Sequence, residues 1–231
     1  MPLIKDELEL LHSLVALDQH QNIVELGCGA AQLSRSLLAR FPHCNVNALE
    51  VDERQHAKNL AKPQSGLHFL QAGAQAIPLP AGKFDLALML KSLHHIPLDL
   101  MDQALDEVWR VLRPGGLLYA LEPVFAGLHN EIMRLFHDEE QVRAAALHSL
   151  QRAVASGVWQ QAAEVSFELP VRYRDFADFE QRVIGVTYLD HRLDASTLAA
   201  VRSRFEQHMG PDGAYFERPM RVNLLRKVRG D

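Results

Sequence analysis

The chain has 231 residues, 48% of them hydrophobic and 23% charged, with a net charge of −5, which is enough for one sizeable α/β core and short for two full domains. The negative balance leaves no electrostatic footprint for nucleic acid, and no apolar run approaches the roughly 20 residues of a membrane span. Cys28 and Cys44 are the only cysteines and do not suggest a disulfide framework, so a soluble, cytoplasmic protein is expected.

Residues 3 to 17 carry leucines at helical spacing among Lys5, Asp6, Glu7 and Glu9, which predicts an amphipathic helix rather than a signal peptide. A first strand is expected at Asn22–Leu26, a helix from Leu33, and a second strand at Val46–Leu49 ending in Glu50. A polar helix with Arg54, Gln55, Lys58 and Asn59 follows, then a strand at His68–Gln71 that leads to Gly73, Ala74, Gln75 and the turn Ile77-Pro78-Leu79-Pro80. Leu86–Leu90 is almost wholly apolar, the pattern of a strand buried on both faces of a parallel sheet. Leu100–Leu112 reads as a helix stopped by Arg113-Pro114-Gly115-Gly116, after which a strand at Leu117–Leu121 ends at Glu122.

Beyond Glu122 the pattern changes. Asn130–Ser156 predicts a long amphipathic helical stretch, read as a cover over the strand ends spanning about residues 126 to 164. A strand is expected at Ala163–Tyr173, helices at Phe176–Tyr188 and Ser196–His208, and a last, antiparallel strand at Tyr215–Val228. The basic residues Arg218, Arg221, Arg226, Lys227 and Arg229 read as a solvated strand face. The alternation of short strands and helices predicts one doubly wound, mostly parallel α/β domain over residues 1–231, seven-stranded, with residues 20–125 as its ligand-binding core.

That core is organised around Ile23-Val24-Glu25-Leu26-Gly27-Cys28-Gly29, a strand running into a glycine turn and then a helix. Glycines there admit backbone torsions closed to other residues and let a ligand approach the main chain. A dinucleotide fingerprint needs a third glycine where Gln32 stands, and Glu25 would repel a pyrophosphate while attracting a cation. The sign of the site suits S-adenosylmethionine. In a doubly wound sheet the ligand lies across the carboxyl ends of the strands, and Glu25, Glu50, Gly73 to Gln75, Leu90 to His95 and Glu122 all fall there. Glu50 can accept ribose hydroxyls, or serve instead as a charge at the start of the next helix.

These residues resemble the class I S-adenosylmethionine-dependent methyltransferases, and among them the small-molecule group that includes the ubiquinone and menaquinone C-methyltransferases. The likeness runs through Val24-Glu25-Leu26-Gly27-Cys28-Gly29, Glu50, Ile77-Pro78-Leu79-Pro80, Phe84-Asp85, Leu93-His94-His95-Ile96 and Val111-Leu112-Arg113-Pro114-Gly115-Gly116. It implies a Rossmann-like fold, with Glu25 and the Gly27-Cys28-Gly29 turn at the methionine end, Glu50 at the ribose, Val51 and Ala74 at the adenine, and the Leu90 main chain at the methionine. Gly73 stands where the family usually has an acidic residue for the adenine amino group, so Gln75 or backbone carbonyls would substitute.

The expected reaction is in-line transfer of the methyl group to a small-molecule acceptor, leaving S-adenosylhomocysteine and requiring no metal. His94 and Glu122 are the expected catalytic groups, with Tyr119, His95, His129, His137, Tyr173, Tyr188 and His191 as further candidates. Lys91, beside the methyl, suggests an acceptor that is anionic or deprotonated in the pocket, or else an ion pair with Glu122. A non-catalytic cofactor-binding module and a nicotinamide-dependent oxidoreductase are the competing readings. No nucleic-acid or membrane partner is expected, and the protein is expected as a monomer or homodimer.

Overall fold

A computed structural model describes residues 1–17, 21–185 and 193–228. Two units are distinguishable, the larger built from Asp6–Glu122, Val142–Val165 and the segment from Arg221 onward. In chain order the elements are α1 (Glu7–Leu14), β1 (Asn22–Leu26), α2 (Gln32–Arg40), β2 (Asn45–Glu50), α3 (Glu53–Leu60), β3 (Leu67–Gln71), β4 (Phe84–Leu90), α4 (Met101–Val111) and β5 (Leu112–Pro123). They continue with α5 (Leu128–Met133), α6 (Glu140–Ala155), β6 (Trp159–Tyr173), α7 (Phe176–Phe179), α8 (Ala195–Glu206), β7 (Met209–Gly210) and β8 (Gly213–Lys227).

In the larger unit β1 pairs in parallel with β2 and β4, β2 with β3, and β4 with β5. The strands are ordered β3-β2-β1-β4-β5-β8-β6. The chain winds outward from β1 to β3 and then returns to place β4 on the other side of β1. That reversal opens a crevice outside the carboxyl ends of β1 and β4, where doubly wound sheets bind ligands.

Local chemistry explains the elements. Asp6 starts α1 by accepting from the Leu8 and Glu9 amides at 2.8 and 3.2 Å, and Asp52 caps α3 through the Arg54 amide at 2.9 Å. The apolar stripe of α4, namely Met101, Ala104, Leu105, Val108 and Val111, is buried against Val24, Leu26, Ala87, Met89, Leu118 and Ala120 of the sheet. Ala146 and Leu150 of α6 join this same core, and Arg152 on α6 pairs with Asp102 on α4 at 2.7 Å.

Several boundaries differ from the sequence reading. The N-terminal helix covers only Glu7–Leu14, because the Asp6 cap sets its start; residues 2 to 4 instead hydrogen-bond in extended form with Glu168 of the smaller unit. The last strand of the central group begins at Leu112, not Leu117: Leu112 pairs with Phe84, the register shifts, and Leu117 pairs with Leu86, so Arg113–Gly116 form an irregularity in β5. The stretch read as one long helix is two, α5 and α6. Lys227 is not on a solvated face: it is buried, and its ammonium donates to the Trp109 and Leu112 carbonyls at 2.7 Å each, at the C-terminal end of α4. Arg226 is exposed as expected, and Arg229 lies outside the described residues.

The smaller unit comprises Met1–Lys5, Pro123–Gln141 and Ser166–Met220. Its core is aromatic: Tyr173, Phe176, Phe179, Phe205 and Phe216 pack with Ile132 and Val201. Here β7 and the start of β8 form an antiparallel hairpin, Met209 opposite Ala214. Helix α7 passes into a single π-helical stretch, Glu180–Ile184, where one helix to Tyr188 was expected; Tyr188 and His191 lie outside the described residues. No helix among the described residues is long and apolar enough to cross a membrane.

Candidate functional site

The turn after β1 is built from three excursions into left-handed backbone at alternate positions, Gly27 at φ +69°, Gly29 at +51° and Ala31 at +52°. A Cβ on Gly27 would stand 2.8 Å from the Ser92 Cβ, so only glycine lets the end of β4 pack against this turn. Ser92 completes that contact by donating to the Leu26 carbonyl at 2.7 Å. Gly29 has no atom within 4 Å of where its Cβ would be, which leaves open space above the turn. The Cys28 amide donates to the Leu49 carbonyl at 2.9 Å, and buried Asn59 donates to the Gly29 carbonyl at 2.7 Å. The turn is therefore pinned to β2 and α3 before any ligand arrives. The first amides of α2 have no side-chain cap.

Two buried carboxylates face this turn region. Glu50 accepts from the Gly29 amide at 2.7 Å through one oxygen, and from the Val51 and Asp52 amides at 2.8 and 2.9 Å through the other. It is thus a clamp on the glycine turn as well as the tip of β2, a role the sequence reading did not include. A carboxylate has about four acceptor positions, so room for a ligand hydroxyl remains. Glu25, only 2% exposed, accepts a short hydrogen bond from Ser34 of α2. Burial pushes its carboxyl up to about 7; the Ser34 bond opposes that rise, the Glu50 charge adds to it, and Lys91 opposes it. Burial and the same two carboxylates also push the Cys28 thiol up, so it is not a reactive thiolate.

Val51 is 63% exposed, a bare apolar side chain just past β2. Ala74 is buried in the core. Gly73 is not in the left-handed region; what a side chain there would meet is the Gln75 amide folded over it. The amide of Gln75 thus occupies the place where an acidic side chain at Gly73 would lie.

The other candidates lie at the ends of β4 and β5, in two separate pairings. Lys91 follows Leu90 at φ +59°, unusual for a residue with a side chain, and is held by its amide donating to the Leu121 carbonyl at 2.7 Å. Its ammonium donates to both Glu7 oxygens, at 2.8 and 3.0 Å. This corrects the expected pair with Glu122. Glu122 is engaged elsewhere, one oxygen accepting from the Leu93 amide at 2.9 Å and the other in a short contact with His94 Nδ1. His94 and Glu122 are 4% exposed, so the pair is desolvated and its geometry set by packing. The His95 ring lies 4.1 Å from the His94 ring.

The remaining candidates divide differently. Tyr119 is fully buried, burial pushes its phenol up, and among the described residues its hydroxyl has no hydrogen-bond partner; that environment does not make a base. In the smaller unit His129 Nε2 and the Tyr173 hydroxyl share a hydrogen bond of 2.8 Å inside the aromatic core, and His137 Nε2 lies 2.8 Å from Glu139. Sequence reasoning missed Glu7, Ser34 and Asn59. Ser34 and Asn59 carried one weak signal, a polar residue on the inward side of a helix; Glu7 looked like any charge in a first helical turn.

Residues 24–120 match a family model described as a methyltransferase domain. Over 188 residues the chain is 28% identical to the malonyl-[acyl-carrier protein] O-methyltransferase of Enterobacter lignolyticus, covering 80% of this chain and 72% of that one. It is 34% identical over 116 residues to the fatty-acid O-methyltransferase of Mycolicibacterium smegmatis, covering 47% of this chain and only 40% of the relative. In fold it is similar to the YcgJ protein of Bacillus subtilis, with a TM-score of 0.68 at 16% identity over 96% of this chain and 98% of that one.

Proposed function

We propose that the chain is a class I S-adenosylmethionine-dependent methyltransferase that transfers the cofactor's methyl group in line to a small anionic acceptor, a reading supported by the matched methyltransferase domain over residues 24–120. The observation that supports this reading is the packing of Ser92 against Gly27, which joins the glycine turn to the chain segment that carries Lys91 and His94, His94 being paired in turn with Glu122. The cofactor fits the residues present. Open space at Gly29 admits its methionine end, and two buried carboxylates suit a ligand with two positive centres. Bound there, it supplies a methyl group already activated by its sulfonium.

The chain's own residues then do the rest. Glu25 meets the cofactor's ammonium, Glu50 accepts a ribose hydroxyl with its remaining lone pairs, Val51, Ala74 and Gln75 bracket the adenine, and the Leu90 main chain aligns the methionine. Lys91 attracts the anionic acceptor, and the His94–Glu122 pair orients it. An acceptor already anionic needs only alignment and exclusion of water, the chief sources of rate in such a displacement. The two relatives named above support this acceptor class, since their names specify acyl and fatty-acid oxygen methylation.

Calorimetric titration with S-adenosylmethionine, S-adenosylhomocysteine and NAD, followed by transfer of a radiolabelled methyl group into fractionated metabolite pools, tests the proposal. Binding of the first two but not NAD is expected, with label acquired by the pool of acidic metabolites separated before the reaction, a carboxylate acceptor giving a neutral ester. Absence of adenosyl-ligand binding, or label acquired only by pools of neutral and basic acceptors, would overturn it.

A further inference from the structure

We propose that Gln103, Glu107 and Arg110 of α4 are positioning residues for the cofactor's adenine: they lock the backbone of residues 75 to 79, so that this loop meets the polar edge of the base in a fixed register. The inference rests on the methyltransferase reading and extends it to residues outside the set that brackets the base. Every group it uses lies in the larger unit.

β3 and β4 are joined by residues 72 to 83, a stretch without helix or strand. It springs from the strand end beside the acidic tip of β2, since Gln71 is the register partner of Glu50. Connections of this length are uncommon in a compact unit, and without regular structure their amides and carbonyls must find partners elsewhere. Ala74 and Ile77 anchor the stretch by burying their side chains in the core that α4 shares. The polar partners come from α4 itself, where positions 103, 107 and 110 are four and three apart and so lie on one face.

Gln103 donates to the Gln75 carbonyl at 2.9 Å. Glu107 accepts from the Ile77 amide at 2.9 Å, and Arg110 donates to the Ile77 and Leu79 carbonyls at 2.8 and 2.9 Å. The two side chains also lock each other, the Arg110 fork donating to both Glu107 oxygens at 2.6 and 2.8 Å. Arg110 and Glu107 are 36% and 23% exposed, and an ion pair of this kind adds little by itself. Here each member is held by the other while its remaining bonds fall on the loop. Both main-chain groups of Ile77 are thus held by α4, and a loop so tied is not free to rotate an amide or a carbonyl to suit a different base. A clamp that served only the fold would steady the loop without regard to which base lies against it, so the distinguishing quantity is base discrimination.

The test titrates S-adenosylhomocysteine and S-inosylhomocysteine, in which oxygen replaces the adenine amino group, into the full chain by calorimetry. Hypoxanthine reverses donor and acceptor along that edge, so the wild-type chain should prefer the adenosyl ligand by about tenfold or more. Arg110→Met and Glu107→Leu should each weaken S-adenosylhomocysteine by about fivefold or more and S-inosylhomocysteine by less than about twofold, so that the preference collapses. Gln103→Ala should lower it by a smaller factor, and Arg110→Lys, which keeps the charge without the planar fork, should retain only part of it. Arg152→Met, which breaks the Asp102 pair on the same helix, should leave both affinities as in the wild type. Equal losses for the two ligands, no loss at any of the three positions, a loss of preference in Arg152→Met, or a wild-type chain that binds both ligands alike would overturn the positioning role. A wild-type chain that binds neither ligand would instead sink the methyltransferase reading. Thermal unfolding checks each variant, and Gln103→Ala, which removes one exposed side chain, carries the comparison if either of the others does not fold.

Discussion

Glu25 ties the site to pH more directly than any other residue. Its carboxyl ionises near 4.5 in an unfolded chain and at about 7 in the folded one. A raised folded value means that the native state prefers the protonated form, so this contribution to stability is full below about 4.5 and is lost as pH rises through 7, on the order of 3 kcal/mol in all. Glu25→Gln should flatten the unfolding free energy across that window in urea titrations. The cofactor's ammonium favours the ionised form instead, so S-adenosylhomocysteine should bind more tightly from pH 6 to 8 with release of a proton, seen as buffer-dependent heats. Glu50 behaves differently because three backbone amides already hold it. Glu50→Ala should weaken cofactor binding by about 1.5–3 kcal/mol and also lower the melting temperature, since the Gly29 amide loses its acceptor. Gly73→Asp alone should not tighten binding, because the Gln75 amide fills the space. Combined with Gln75→Ala it should gain roughly 0.5–1.5 kcal/mol, and equal effects of Gly73→Asp in both backgrounds would show that Gln75 is not the obstacle.

At the scale of elements, the ends of helices and strands carry the candidate site and their middles carry the fold. β4 illustrates the division: residues 86 to 89 are fully buried, whereas Leu90 and Lys91 just beyond them are only half-buried and Ser92 packs on the Gly27 turn. Helix α4 is secured from far along the chain by Lys227, whose ammonium caps its last carbonyls and lies 3.7 Å from the Trp109 ring centre. Lys227→Met should destabilise the protein by about 1–3 kcal/mol through those unpaired carbonyls, a fall in melting temperature of roughly 2–10 °C, without changing cofactor affinity. Loss of affinity at unchanged stability would contradict this account. The elements themselves were largely legible, since apolar periodicity and the Asp6 and Asp52 caps are local signals. The misplaced start of β5 was not, because the irregularity at Arg113–Gly116 exists only through pairing with β4.

For the whole molecule, the strand order places the site. β1 and β4 are neighbours although β2 and β3 come between them in sequence, and without that return Ser92 could not meet Gly27. Cofactor binding should stabilise the entire larger unit by linkage: S-adenosylhomocysteine at a hundredfold excess over its dissociation constant is worth about 2.7 kcal/mol, or roughly 5–10 °C in a thermal scan, and NAD should give no shift. The sequence by itself determined the strand, glycine turn and helix around Gly27, the acidic tip at Glu50 and the alternation that makes a doubly wound sheet, because each follows from torsional freedom and periodicity over a few neighbouring residues. Only the tertiary structure decided that Glu25 pairs with Ser34, that Glu122 is held by Leu93 and His94, that Lys91 holds Glu7, and that Lys227 is buried. Those partners come from elements brought together by sheet order and helix packing, and the choice of one carboxylate over another depends on desolvation and distance, which exist only once the chain is folded.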